Sequence, residues 1–262
     1  MHDHPLARRT CLITGAGSGI GRAMALQFAH DGAEVALVGR SADELEAVAK
    51  QIRDSGGIAE AFVADVTDAP GMADIVERVV AQWGPIKVAV ANAGANGVWA
   101  PLDKLSVADF RETLDNNLTG TFITLKVVYP AMKMHGGSMI VVSSINGTRI
   151  YSNRGSHAYS SSKAGQVALV KTLALELGLD NIRINAICPG AIDTPIHDKT
   201  VRQGVEDPNG ECADPHTAIP LTDNRPGEPE QVAKLARFLA SDDAQHITGA
   251  VIHIDGAQSL GG

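Results

Sequence analysis

Long apolar runs are missing from this 262-residue chain. None approaches the roughly 20 residues that cross a bilayer, and the start, MHDHPLARRT, lacks the apolar stretch of a secretory signal. The expectation is a soluble, cytoplasmic protein with no membrane partner. Positive charge is also short: 22 Lys and Arg stand against 30 Asp and Glu, for a formal charge of −8, with the two signs interspersed. No basic stripe exists to collect a phosphate backbone, which argues against nucleic acid as a partner. Cysteine is reduced to three widely spaced residues, Cys11, Cys188 and Cys212. An odd, scattered set fits neither a disulfide framework nor a Cys-x-x-Cys metal site. Cys11 and Cys188 read as small buried hydrophobes in strand-like runs, and Cys212 as a free thiol in a polar loop. The nine histidines show no metal-ligand spacing beyond His2 and His4 at the terminus, so no metal is expected.

What is present is an alternation. Short runs rich in Val, Ile and Ala occur at Cys11–Thr14, Glu34–Gly39, Ile58–Ala64, Val88–Ala91, Met139–Ser143, Ile182–Ile187 and Val251–Ile254. Between them lie helix-period stretches: Ile20–His30, Ala42–Arg53, Met72–Gln82, Phe110–Met134, Tyr159–Leu177 and Gln231–Ala240. Strands alternating with helices predict a doubly wound, seven-stranded parallel α/β sheet with helices on both faces, a Rossmann fold, within one domain spanning residues 1–262. Ligands of such sheets sit at the carboxyl ends of the strands. One connection, about 195–229, is long and aperiodic and comes after the sixth strand, which marks it as a substrate lid.

The first strand runs into Thr14-Gly15-Ala16-Gly17-Ser18-Gly19-Ile20-Gly21 and then a helix. Glycine allows a tight turn and close approach of a pyrophosphate to the helix N-terminus, so Gly15, Ser18, Gly19, Ile20 and Gly21 are candidate dinucleotide contacts. The second strand ends in Val38-Gly39-Arg40-Ser41, without the acid that would meet a ribose 2′-hydroxyl. Arg40 and Ser41 suit a 2′-phosphate instead, which favours NADP, with NAD as the alternative. Further on stand Ser144, then Tyr159 and Lys163, then Pro189-Gly190. Tyr and Lys at i and i+4 share a helix face. A phenol titrates near pH 10, and the Lys163 ammonium is expected to stabilise its phenolate. Ser144 would hydrogen-bond a substrate oxygen while Tyr159 exchanges the proton during hydride transfer.

With these motifs in order the chain resembles the short-chain dehydrogenase/reductase family, the single-domain branch with a TGxxxGxG turn and a YxxxK pair. The match covers nearly the whole chain. It adds Asp65-Val66 after the third strand, Asn92-Ala93-Gly94 after the fourth, Asn117 in Asn116-Asn117-Leu118-Thr119-Gly120, and Ile192 and Thr194 beyond Pro189-Gly190. The resemblance implies that Asp65 contacts the adenine and that Asn92 lies along the cofactor. It also has Lys163 hold the nicotinamide ribose, Thr194 meet the carboxamide, and Asn117 hold a water linking Lys163 to solvent. It implies a homotetramer too, built on the helices at Phe110–Met134 and Tyr159–Leu177. Two features depart from the common pattern: Ser18 stands where Lys or Arg often precedes the second glycine, and the Ser144–Tyr159 segment is longer, bringing Tyr151, Arg154 and His157 towards the catalytic edge.

The lid carries His197, Lys199, Arg202, His216 and Arg225 and no aromatic residue, which favours a polar substrate over a steroid-like one. Trp99 is the exception near the site, as a pocket wall or as a packing residue. The leading expectation is an NADP-dependent reductase of a sugar-like carbonyl or 3-oxoacyl group. The rivals are an NAD-dependent polyol dehydrogenase and a dinucleotide-binding sensor without turnover. The complete set Asn117, Ser144, Tyr159 and Lys163 argues against the sensor.

Overall fold

A computed structural model describes residues 4–151, 153–196, 200–205 and 218–260. In chain order the elements are β1 (Thr10–Thr14), α1 (Gly19–His30), β2 (Glu34–Gly39), α2 (Ala42–Asp54), β3 (Ile58–Val63), α3 (Ala69–Trp83), β4 (Ile86–Ala91) and β5 (Val98–Trp99). Next come α4 (Val107–Leu114), a π-helical turn (Asp115–Thr119), α5 (Gly120–Lys133), β6 (Gly137–Val142), α6 (His157–Gly178), β7 (Ile182–Pro189), β8 (Val201–Arg202), α7 (Pro229–Ala240) and β9 (Val251–Ile254).

Seven strands form one parallel sheet in the order β3-β2-β1-β4-β6-β7-β9. This is the expected doubly wound architecture. Val, Ile and Leu on β1, β2, β4, β6 and β7 are buried because helices cover both faces. One core lies under α1, α2 and α7, the other under α3, α5 and α6. The order reverses between β1 and β4, so the crevice that parallel sheets offer to ligands opens beside the carboxyl ends of these two strands.

Two expectations are corrected. The helix expected over Phe110–Met134 is interrupted: α4 and α5 are joined by the π turn, where the Gly120 N–H donates to the Asp115 carbonyl five residues back. Hydropathy period cannot register such an insertion when the apolar face continues on either side. The seven expected strands are joined by a second sheet of only two residues per strand, β5 pairing parallel with β8, too short for a periodic signal.

Gly21 shows how tightly the first turn is wound. A Cβ there would fall 2.1 Å from the Gly15 carbonyl oxygen and 2.6 Å from Asn92 Nδ2. Gly21→Ala is therefore expected to lower stability by about 1–3 kcal/mol, the usual cost of overpacking, read as a lower urea midpoint at unchanged slope.

Candidate active site

The turn after β1 is fixed from the neighbouring strand. Thr14 Oγ1 accepts from the backbone N–H groups of Asn92 (3.1 Å) and Ala93 (3.2 Å) and donates to the Val90 carbonyl (3.3 Å). Asn92 Nδ2 donates to the carbonyls of Thr14 (3.0 Å) and Gly15 (3.2 Å). Asn92 therefore braces the turn through its side chain, and Thr14, which its place in the sequence does not single out, is the second half of that brace. Gly15 and Gly19 lie at φ +65° and +51°, in the left-handed region that glycine alone adopts cheaply. At Gly19 an added Cβ would meet the Thr194 methyl at 3.1 Å, so the first turn and the loop after β7 touch. Ser18 is the N-cap of α1 and makes no capping bond with its side chain; Ile20 packs on the core below. The cradle of backbone around Gly15, Gly17 and Gly19 fits a pyrophosphate, whose charge the N-terminus of α1 favours.

Around this turn the other candidates divide. Arg40 is exposed at the end of β2, its guanidinium 3.9 Å from Asp65. Ser41, the N-cap of α2, makes no side-chain capping bond. Asp65 Oδ1 accepts from the backbone (2.9 Å) and hydroxyl (2.7 Å) of Thr67, and these bonds, aided by Arg40, hold its carboxyl below the usual range. Glu44 is a neighbour that no motif marks: a Cβ on Gly17 would lie 3.1 Å from its carboxylate. Val66 is buried in the core beneath.

The catalytic candidates converge from four elements. The Ile145 N–H donates to the Pro189 carbonyl (2.9 Å), aligning the Ser144 segment with the end of β7. There Gly190 packs closely on Asp255 and Ile192 is buried. Ser144 Oγ accepts from the Asn146 N–H (3.1 Å) and hydrogen-bonds the Tyr159 phenol. Lys163 Nζ, buried, donates to the Val142 carbonyl (2.9 Å) and lies 5.6 Å from the Tyr159 ring centroid. Gly94 approaches so closely that an added Cβ would be 3.2 Å from Asn117 Oδ1 and 3.5 Å from Lys163 Nζ. Asn117 is fully buried; its Oδ1 accepts from the Ala95 N–H (2.8 Å), and its Nδ2 donates to the Ala95 carbonyl (2.9 Å) and Ser162 Oγ (3.0 Å).

Electrostatics differ from the expectation in one respect. Burial raises the Tyr159 pKa, and the Ser144 hydroxyl, not Lys163, is the group that draws it back. Lys163 is itself desolvated, which pushes its pKa down to about 8, with the Cys188 thiol beside it. Desolvation favours the neutral form of each group, so the phenol is held as an acid. Cys188 is buried as expected but borders the site: burial raises its pKa, while Ser143, Lys163, the Ser144 backbone and Thr148 pull it down. Cys11, remote in β1, is pushed higher still.

Trp99 stands beside the catalytic candidates: its ring centroid is 6.4 Å from that of Tyr159, its Nε1 donates to the Asn96 carbonyl (3.2 Å), and the Arg202 guanidinium stacks on it at 5.2 Å. Asn96 Nδ2 donates to Thr200 Oγ1 (2.7 Å) and the Gln203 N–H to the Trp99 carbonyl (2.9 Å), so the 200–203 segment is clasped to the Trp99 strand. His197, Lys199, Cys212 and His216 lie outside the described residues, as does His2; Arg225 bonds only locally, to Thr222. Gly155 accepts from the Ala100 N–H (3.2 Å), which joins the longer 144–159 segment to the Trp99 strand. Within that segment Tyr151 is exposed and donates to the Gly147 carbonyl (3.3 Å), and Arg154 and His157 are both exposed. Among the described residues no three His, Cys, Asp or Glu cluster as metal ligands, and no helix is long and apolar enough to cross a membrane.

A family model described as enoyl-(acyl carrier protein) reductase matches residues 15–257. The chain belongs to the short-chain dehydrogenase/reductase family. It is 40% identical over 252 residues to the 3-oxoacyl-[acyl-carrier-protein] reductase FabG of Thermotoga maritima, covering 96% of this chain and 98% of that one. It is 36% identical over 254 residues to levodione reductase of Leifsonia aquatica, covering 96% and 94%. The crystal structure of a 3-ketoacyl-ACP reductase from Sinorhizobium meliloti 1021 superposes with a TM-score of 0.89 at 47% identity, covering 96% of this chain and 99% of that one. As a member of this family the chain is an oxidoreductase of carbonyl and alcohol groups that binds a nicotinamide dinucleotide.

The Lys163 environment sets a pH dependence. An amine with its pKa near 8 is charged below that pH and neutral above it, while Tyr159 stays protonated throughout. If the ammonium is the working form, kcat/KM for ketone reduction falls as pH rises through about 8. In Lys163→Arg, whose guanidinium does not titrate in this range, the residual activity is expected to lose that limb.

Proposed function

We propose that this dehydrogenase/reductase works as a single-domain ketone reductase that uses NADPH, with Tyr159 as proton donor. The observation that carries the reading is the meeting of Ser144, Tyr159 and Lys163 at one point of the sheet edge, with the phenol kept protonated. Gly15, Ser18, Gly19 and the N-terminus of α1 would hold the pyrophosphate. Asn92, Ala93 and Gly94 would flank the cofactor, Lys163 the nicotinamide ribose, and Ile192 and Thr194 the carboxamide end. When bound, the dinucleotide supplies a hydride. The chain's own residues do the rest. The Ser144 hydroxyl binds the substrate carbonyl oxygen and, as negative charge gathers there, Tyr159 donates its proton to that oxygen. Lys163 carries positive charge beneath the phenol and favours the phenolate left behind. The reverse sequence oxidises an alcohol.

Arg40 carries the preference for NADPH, since its exposed guanidinium and the Ser41 hydroxyl suit a 2′-phosphate. The NAD reading is favoured by the carboxylates of Glu44 and Asp65 at the same lip, which would repel a phosphate and accept from a ribose hydroxyl. The relatives named for 3-oxoacyl and levodione reduction support a ketone as substrate, and the polar lid a polar one. Exposed Phe122 on α5, with Leu175 on α6 and Leu179 at its end, support a homo-oligomer, a tetramer by family likeness, and the cytoplasm is the compartment expected for it.

Fluorescence titration is expected to show tighter binding of NADPH than of NADH, a preference lost in Arg40→Ala; an NADH preference would overturn the assignment of the cofactor. Tyr159→Phe is expected to reduce turnover by roughly 10²–10⁴-fold with NADPH binding retained. Unchanged turnover would sink the mechanism.

A further inference from the structure

Ser144 stands on a short turn after β6, and one of the bonds that shape this turn comes from a residue that the proposed mechanism does not use. The turn closes on Ile145, whose carbonyl accepts from the backbone N–H groups of Thr148 (3.1 Å), Arg149 (2.9 Å) and Ile150 (3.0 Å). Its near end is tied to the sheet, because the Ile145 N–H donates to the Pro189 carbonyl (2.9 Å). Its far end is Thr148. The Thr148 hydroxyl reaches back to the carbonyls of Ser144 and Ile145, each at 3.1 Å, and lies 3.2 Å from Nε2 of His253.

Donor and acceptor at Thr148 follow from counting protons. A hydroxyl has one proton and two lone pairs, and a carbonyl only accepts. With the Thr148 proton shared between the two carbonyls, its oxygen is left to accept, so His253 is the donor and carries a hydrogen on Nε2. The opposite tautomer would draw the Thr148 proton out of the turn and break its bonds to Ser144 and Ile145. His253 can aim this bond because it sits within β9, paired in register with Cys188 of β7. A strand, not a loop, sets the place of its ring. Pro189, which holds the near end of the turn, is the next residue of β7, so both ends of the turn are referred to one edge of the sheet.

The Ser144 hydroxyl moves with this turn, since its Oγ accepts from the Asn146 N–H (3.1 Å) inside it. We propose that His253 is a positioning residue for ketone reduction: its Nε2–H fixes Thr148, and through Thr148 it fixes the turn that presents the Ser144 hydroxyl beside Tyr159. The proposal rests on the role proposed for Ser144 as the group that binds the substrate carbonyl oxygen. A hydrogen bond to a reacting oxygen acts only at the right distance and angle, so loosening the turn slows the chemical step and leaves the cofactor cradle, built on other elements, as it was.

His253→Leu removes the donor and keeps an apolar side chain. It is expected to lower kcat for ketone reduction by about tenfold, less than the loss that follows a full ångström of misplacement, with NADPH affinity unchanged in fluorescence titration. His253→Gln offers an amide N–H at nearly the reach of Nε2 and should recover most of that loss. The deciding measurement is a double-mutant cycle with Ser144→Ala. Once the hydroxyl is absent there is nothing left to position, so His253→Leu should bring no further loss in that background. Full turnover in His253→Leu, a Gln variant as slow as the Leu variant, or the same fold-loss with and without Ser144 would each overturn the proposal and leave His253 a packing residue. Should His253→Leu fail to fold, Thr148→Val breaks the same link from the other side and is read in the same cycle, with the same outcomes. Undiminished turnover in Ser144→Ala would overturn this proposal together with the mechanism, whereas a slow Ser144→Ala beside an unaffected His253→Leu overturns this proposal alone.

Discussion

Everything at the ligand edge depends on the tie between β1 and β4. Parallel strands deliver all their carboxyl ends to one side, and the reversal of strand order between these two leaves a crevice there. A crevice alone would be soft. Thr14 and Asn92 cross it with side-chain bonds to the backbone of the opposite strand, so the glycine turn that would cradle phosphate is held by the same strand whose continuation, through Gly94 and Ala95, packs on Lys163 and Asn117. The glycine turn and the Lys163–Asn117 cluster are thereby tied together through one strand.

Desolvation by the surrounding protein explains the charges of these groups. Lys163 and Tyr159 each lose hydration in the same pocket, so the free enzyme holds a protonated phenol above an amine that gives up its proton far more easily than a surface lysine does. The Cys188 thiol beside them is kept protonated by the same burial, which makes it a packing group at the reacting edge rather than a nucleophile.

Sequence alone made the sheet legible because each strand is a short run of β-branched residues and each helix an apolar stripe, signals that survive without tertiary knowledge. The turn at Gly15–Gly21 and the Tyr159–Lys163 pair were legible for another reason: their spacing is local, a few residues apart on one element. What stayed hidden was relational. Thr14 looks like an ordinary strand end, and His253 like one polar residue in an apolar strand, since their partners are 78 and 105 positions away. The π turn is masked because apolar residues continue through Phe110–Met134 regardless of one extra residue. The sign of the Tyr159 shift is hidden because i, i+4 spacing shows only that a lysine is near, whereas the desolvation that raises it and the Ser144 bond that opposes it are properties of the assembled site.

The clasp between β5 and β8 divides the molecule by function. Because Thr200, Val201 and Gln203 are stitched to Asn96, Gly97 and Trp99, this short segment belongs mechanically to the edge that carries Tyr159. Such a tie fixes the backbone beside Trp99 while leaving the side chains that it carries free to vary. A scaffold of this kind can change what it acts on while keeping how it acts.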